Sequence, residues 1–302
     1  MQDSTALSRR GFLAGGAGLG ALAASAAAGA AADSSAGAKG WQIGCYTRPW
    51  GKYDYRVALD AIKEAGFGYA GIMTAKGGLP ISVERTLEEA AEVGEECRQR
   101  GLTIPSVYGG GIPVKDSLDA GIEGLKRLID NCAAAGAANL MMGGAGPELH
   151  DRYYEAVAAC CPYAAEKGVG MSVKPHGGTN ANGAQCRATV ERVGHENFRI
   201  WYDPGNIYFY SEGELDPVDD APSVDGLVVG MCIKDYVHPK QVMVTPGEGQ
   251  VRFPAVMDRL KAGGFIQGPL IIECLSEGDL PHLLAEARKA RVFVEELVGT
   301  GG

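Results

Sequence analysis

Residues 169–178 read Val-Gly-Met-Ser-Val-Lys174-Pro175-His176-Gly177-Gly178, a short apolar run that closes in an amine, an imidazole and two glycines. Three later runs close in the same manner. The segment from Arg199 ends in Asp203-Pro204-Gly205-Asn206, the one from Leu227 ends in Lys234-Asp235, and Leu270-Ile271-Ile272 ends in Glu273. Continuous apolar runs of this kind fit strands buried on both faces, as parallel strands are. A repeated strand that always terminates in a reactive side chain is the way a closed ring of strands builds a site at one rim.

Working outward, apolar runs recur about every thirty residues, each followed by a segment of helical period. Strands are predicted near Ile43–Tyr46, Gly68–Met73, Leu102–Tyr108, Asn139–Met142, Val169–Lys174, Arg199–Asp203, Leu227–Lys234 and Pro269–Cys274. Helices are clearest at Val57–Ala65, Leu87–Arg100, Ile122–Ala135, Tyr153–Lys167 and Leu283–Leu297, with Gly66, Gly101, Gly136 and Gly168 placed where a left-handed cap belongs. Eight such units predict an α/β fold, a single-domain (β/α)8 TIM barrel over residues 39–302. A doubly wound sheet would also alternate strand and helix, but no Gly-x-Gly-x-x-Gly opens the first helix. Gly109-Gly110-Gly111 and Gly143-Gly144 are read as small residues that keep the rim low enough for a substrate to enter.

Residues 1–38 are set apart from the fold. Ser8-Arg9-Arg10-Gly11-Phe12-Leu13 is a twin-arginine pattern followed by an Ala/Gly-rich stretch, which predicts export to the periplasm or the extracellular medium. The stretch is about long enough to span a bilayer, but alanine and glycine make its transfer energy weak, so no stable membrane insertion is expected after processing. Ala30-Ala31-Ala32 and Ala36-Gly37-Ala38 both suit cleavage. About 265 residues remain, the usual size of one barrel. The net charge of −9 and the pI near 5.2 exclude a nucleic-acid backbone as the natural partner. The eight cysteines form no Cys-x-x-Cys pair, and a chain exported after folding in a reducing compartment uses most of them as small core residues.

Side chains two apart on a strand point the same way, so Lys174 and His176 are expected together at the mouth, where catalytic residues of such barrels lie. Glu273 follows the most hydrophobic strand, and a buried carboxylate there needs a cation or a proton. A divalent metal held by Glu273, Asp203 and His176 would supply it, and mixed imidazole and carboxylate ligation suits Mn, Mg, Co or Zn. Lys234 and Asp235 read either as an internal ion pair or as substrate ligands. Glu248, between Gly247 and Gly249, reads either as a flap over the site or as a solvent-facing turn. Asn206, Tyr108 and Trp50 complete the expected substrate contacts.

These motifs resemble the sugar phosphate isomerase/epimerase family of xylose isomerase-like barrels, which also contains endonuclease IV-type enzymes. The resemblance covers about residues 41–298 and is most specific at Lys-Pro-His-Gly-Gly, Tyr-Asp-Pro-Gly-Asn, Ile-Lys-Asp, Gly-Glu-Gly and the final Ile-Ile-Glu. It implies a metal held by a Glu after the fifth strand, an Asp after the sixth, a His on the seventh and a Glu after the eighth. Asp203 and Glu273 match this pattern. The Glu position falls on Lys174 and the His position on Cys232 of Cys232-Ile233-Lys234-Asp235. By the same resemblance Cys232 joins the metal ligands as a thiolate, with His176 restoring a nitrogen from the neighbouring position. Lys174 would be either a base of lowered pKa or a cation that replaces the metal.

The expected activity is that of a metal-assisted isomerase, epimerase or lyase acting on a carbohydrate or keto-sugar, removing a proton next to a carbonyl. Lys174, His176 and Glu273 are its expected catalytic residues. The competing reading is a non-catalytic exported sugar-binding barrel in which the aromatic residues are stacking platforms. An endonuclease needs more strand-end histidines and a less acidic surface. The expected partner is a small sugar, and a homo-oligomer is compatible with the sequence.

Overall fold

The computed structural model describes residues 40–299. The signal and linker expected over residues 1–38 lie outside the described residues. Eight parallel strands form one sheet: β1 (Trp41–Tyr46), β2 (Tyr69–Gly71), β3 (Val107–Tyr108), β4 (Asn139–Met142), β5 (Gly170–Val173), β6 (Phe198–Tyr202), β7 (Val228–Ile233) and β8 (Gly268–Ile272). Their spatial order is β2-β1-β8-β7-β6-β5-β4-β3. Single parallel bridges from Tyr69 to Thr103 and from Ile72 to Val107 close β2 on the β3 segment, so the sheet is a barrel. Every expected strand is present. β3 is shorter than its apolar run because Pro105 has no N–H to donate, which interrupts the ladder between the two bridges.

The strands are joined by α1 (Tyr55–Glu64), α2 (Leu87–Gln99), α3 (Leu118–Ala135), α4 (His150–Glu166), α5 (Gly183–Val193), α6 (Pro204–Tyr210), α7 (Pro217–Asp220), α8 (Phe253–Ala262) and α9 (Leu280–Val298). The five expected helices correspond to α1, α2, α3, α4 and α9. α2 begins with a reciprocal capping box between Thr86 and Glu89. In α5, Cys186 and Thr189 take core positions beside Val190 and Val193. Pro204-Gly205 form the first turn of α6. Its N-cap is Asp203, whose Oδ1 accepts the Asn206 N–H at 2.9 Å.

The core has two layers, and the two-residue period of each strand sorts side chains between them. Leu270 and Ile272, Met231 and Ile233, and Met171 and Val173 pack outward under the helices. Ile271, Cys232, Trp201, Met141, Met73 and Tyr46 fill the lumen. Gly71 is a necessity of that filling, because a Cβ there would sit 2.2 Å from the Tyr46 ring.

Candidate functional site

Register carries the lumen pattern one step past the strand ends. Cys232 pairs with Ile271 and Ile233 with Ile272, so the next inward positions, Lys234 and Glu273, emerge level with each other. Tyr202 pairs with Met231, which brings Asp203 level with Cys232. Val173 pairs with Ile200, and Lys174 follows on the inward side. The consequence is a cluster of polar side chains on the floor of the C-terminal mouth, all of them 5% exposed or less except Arg48.

Glu273 is its centre. Oε2 accepts from Lys174 Nζ at 2.5 Å and from the Cys232 thiol at 2.9 Å. Oε1 accepts from Lys234 Nζ at 3.0 Å and from Arg48, whose side chain is 31% exposed. Lys174 Nζ also donates to Asp203 Oδ2 at 3.1 Å and lies 3.9 Å from Cys232 Sγ. Lys234 donates to Asn206 Oδ1 at 2.8 Å, and Asn206 Nδ2 in turn holds the Pro175 carbonyl at 2.6 Å. Arg48 was not anticipated. Its signal was present, since Thr47-Arg48 closes the first apolar run as Lys174 closes the fifth.

The electrostatics follow from three cations meeting two carboxylates. Burial alone would raise the Glu273 pKa, but Lys174, Lys234 and Arg48 hold it well below the ordinary range. Burial likewise opposes the Lys174 charge, and the Glu273 and Asp203 carboxylates beside it outweigh that cost, so the ammonium persists well above its usual pKa. Burial, reinforced by Glu273, pushes the Cys232 thiol well up, so Cys232 is a protonated donor. A carboxylate so fully engaged is a weak base. Glu273 acts on this geometry as the anchor of the cations rather than as a proton acceptor.

Asp203, Cys232 and Glu273 each offer one ligand atom within 4.8 Å of the others. His176 stands apart from that trio, exposed above the floor, with its ring 6.3 Å from Tyr108 and 5.9 Å from Tyr210 between centroids. As the side chains are placed, the trio does not fit a divalent ion, because the Lys174 ammonium already lies among its donors and the local charge is already positive. Although one side of the ring is open to solvent, desolvation of the side that faces the mouth and the nearby Lys174 cation lower the His176 pKa to about 4, so the ring is neutral at ordinary pH. Gly143 makes room here. A Cβ on it would lie 3.3 Å from both His176 Nδ1 and the Tyr108 hydroxyl, which places those two polar atoms around one point.

Three expected substrate contacts take other roles. Trp50 is fully buried in the layer beneath the rim, so it packs the core instead of meeting a ligand. The Asp235 carboxylate is consumed by backbone, accepting from Gly247 and Gly249 at 2.9 and 2.8 Å and from Tyr236 and Val251 at 2.8 and 3.0 Å. It clamps the Gly-Glu-Gly loop to the rim. Glu248 is then directed outward into an ion pair with Lys289. Tyr108 keeps its place at the mouth, half-buried. A cavity of about 270 Å³ lies against Arg48, walled in part by Gly51, Met243 and Leu283.

The family model described as xylose isomerase-like TIM barrel matches residues 59–296, and the chain belongs to that family. Among solved structures, a xylose isomerase domain protein from Planctomyces limnophilus superposes with a TM-score of 0.65 at 20% identity, over 86% of this chain and 96% of that one. A D-psicose 3-epimerase crystallised in the presence of D-fructose gives 0.68 at 14% identity, over 85% and 99%. A 3-keto-D-glucoside 4-epimerase from E. coli gives 0.64 at 14% identity, over 85% and 99%. At these identities the likeness is one of fold. No curated protein matches the chain.

Proposed function

We propose that the protein is a sugar isomerase or epimerase that moves a proton on the carbon beside a carbonyl of a keto-sugar or keto-glycoside. A lyase outcome is available to a substrate that carries a leaving group on the next carbon. The observation that carries this reading is the positive, desolvated floor beneath a neutral His176 and Tyr108. Charge that develops on a carbonyl oxygen during proton removal is stabilised by fixed cations in a site screened from water. Arg48, the partly exposed member of the cluster, is the group placed to meet that oxygen, and Lys174 and Lys234 supply the field behind it. The neutral His176 ring is free to accept or relay a proton, with the Tyr108 hydroxyl beside it as donor. Family membership and the epimerases among the structural relatives support the substrate class. No step of this scheme is routed through a metal.

The test is a set of ketoses and 3-keto-glycosides incubated with the protein in D₂O, followed by proton NMR. The expected result is loss of the C–H signal next to the carbonyl together with appearance of the epimer or isomer. Lys174→Met should slow that exchange at least about a hundredfold. Sugar binding without exchange for every compound would instead make this a sugar-binding barrel.

For the N-terminal residues we propose export by the twin-arginine route, motivated by Arg9-Arg10 before a weakly apolar stretch. Replacing both by lysine should leave the precursor in the cytoplasm. Normal export of that variant would refute it. Among the described residues, no helix is long and apolar enough to cross a membrane.

A further inference from the structure

Asp203, Cys232 and Glu273 have the spacing of ligands around one ion, and a positive charge already stands where that ion would be. Lys174 Nζ lies 3.1 Å from Asp203 Oδ2, 2.5 Å from Glu273 Oε2 and 3.9 Å from Cys232 Sγ. We infer that the Lys174 ammonium is the resident cation of this barrel, a tethered replacement for a divalent ion, and that the protein works without a metal. The inference goes beyond the proposed activity and does not depend on it.

Three observations converge on it. The first is the geometry just given, in which one nitrogen touches every member of the trio. The second is charge. Lys174, Lys234 and Arg48 already exceed Asp203 and Glu273 by one, so a divalent ion added to this buried floor would leave three uncompensated positive charges. The third is chemistry of the donors. Cys232 spends its thiol proton on Glu273 at 2.9 Å, and Glu273 Oε1 is bound by Lys234 and Arg48, so little lone-pair capacity remains for coordination. The ammonium differs from an ion in two consequences. It offers directional N–H donors instead of open coordination positions, and a chelator cannot remove it.

The experiment reads metal content and not turnover, so failure of the epimerase reading leaves it decidable. Wild-type protein, equilibrated with Mn²⁺ or Zn²⁺ and desalted, should retain far less than one ion per chain, and EDTA should not change its melting temperature. Lys174→Glu combined with Cys232→His restores oxygen and nitrogen donors, and should take up about one Mn²⁺ per chain, visible by elemental analysis and by electron paramagnetic resonance. Lys174→Gln, which only removes the charge, keeps the test decisive if the double variant does not fold, and should bind Zn²⁺ at least tenfold more tightly than wild type. The inference is overturned if wild type holds about one ion per chain that is lost in Glu273→Gln. It is equally overturned if the folded variants bind no more metal than wild type.

Discussion

The two halves of the barrel rim are built for different tasks. Strands β5 to β8 end in Lys174, Asp203, Lys234 and Glu273, and these ends supply charge. Strands β3 and β4 run into Gly109-Gly110-Gly111 and Gly143-Gly144, and these ends supply space. Arg48, just past β1 and therefore beside β8, adds its charge to that half by touching Glu273. Charge without space would be a salt-bridged plug, and space without charge would be a dry pit. The site exists because one closed sheet presents both at the same height, and because Gly143 leaves His176 and Tyr108 the room to share one point above the ions.

The charged half can be broken at its centre. Glu273→Gln leaves three cations facing Asp203 alone, and loss of one partner from a buried ionic cluster costs about 3–5 kcal/mol. Urea unfolding should show a drop of that size. A loss under about 1 kcal/mol would mean that the cations do not depend on Glu273, and the contrast between the halves would lose its basis.

The open half is sharpened by Gly143→Ala. The added methyl presses first on His176 Nδ1 and the Tyr108 hydroxyl, each 3.3 Å away. We expect stability to change by less than about 0.5 kcal/mol. Exchange of the substrate proton should fall by up to about tenfold, equivalent to about 1.4 kcal/mol of barrel-mouth geometry. Unchanged exchange would show that the space beside Tyr108 is not where substrate sits.

The smallest effect concerns the point where the halves meet. The His176 ring should titrate near 4 by NMR, since desolvation of its mouth-facing side and the Lys174 charge disfavour its cation. Because the folded pKa lies below the unfolded one, the unfolded chain binds this proton first. The His176 contribution to stability is therefore complete above about pH 6.5 and declines as pH falls toward 4. His176→Gln should flatten that part of the stability profile, and a titration midpoint near 6.5 would place the ring beyond the influence of the floor.

Much of this was legible in the sequence because period and punctuation survive without tertiary knowledge. The apolar runs ending in Lys174, Asp203, Lys234 and Glu273 predicted both the barrel and the convergence of those side chains. What the runs could not convey was which neighbour each side chain would choose. Asp235 looks like a site residue one position from Lys234, yet the strand period turns it toward the backbone N–H groups of Gly247 and Gly249. Trp50 follows the rim in sequence but is drawn into the core by its size. His176, two residues from Lys174, lies beyond the end of β5 at Val173 and stays above the trio it was expected to join. Arg48 went unnoticed because its partner lies 225 residues away.

The eight cysteines, spread from β1 to the second residue after β8, are all free thiols and all buried. Burial pushes Cys97, Cys132 and Cys161 up to about 12 and Cys160 to about 11, so at neutral pH these sulfurs are uncharged and poor nucleophiles. A fold whose thiols are packed as hydrocarbon has no cross-link to form or lose when the surrounding redox potential changes. The folded molecule therefore holds no disulfide whose reduction could loosen it, and its sulfurs contribute to stability as packing atoms alone.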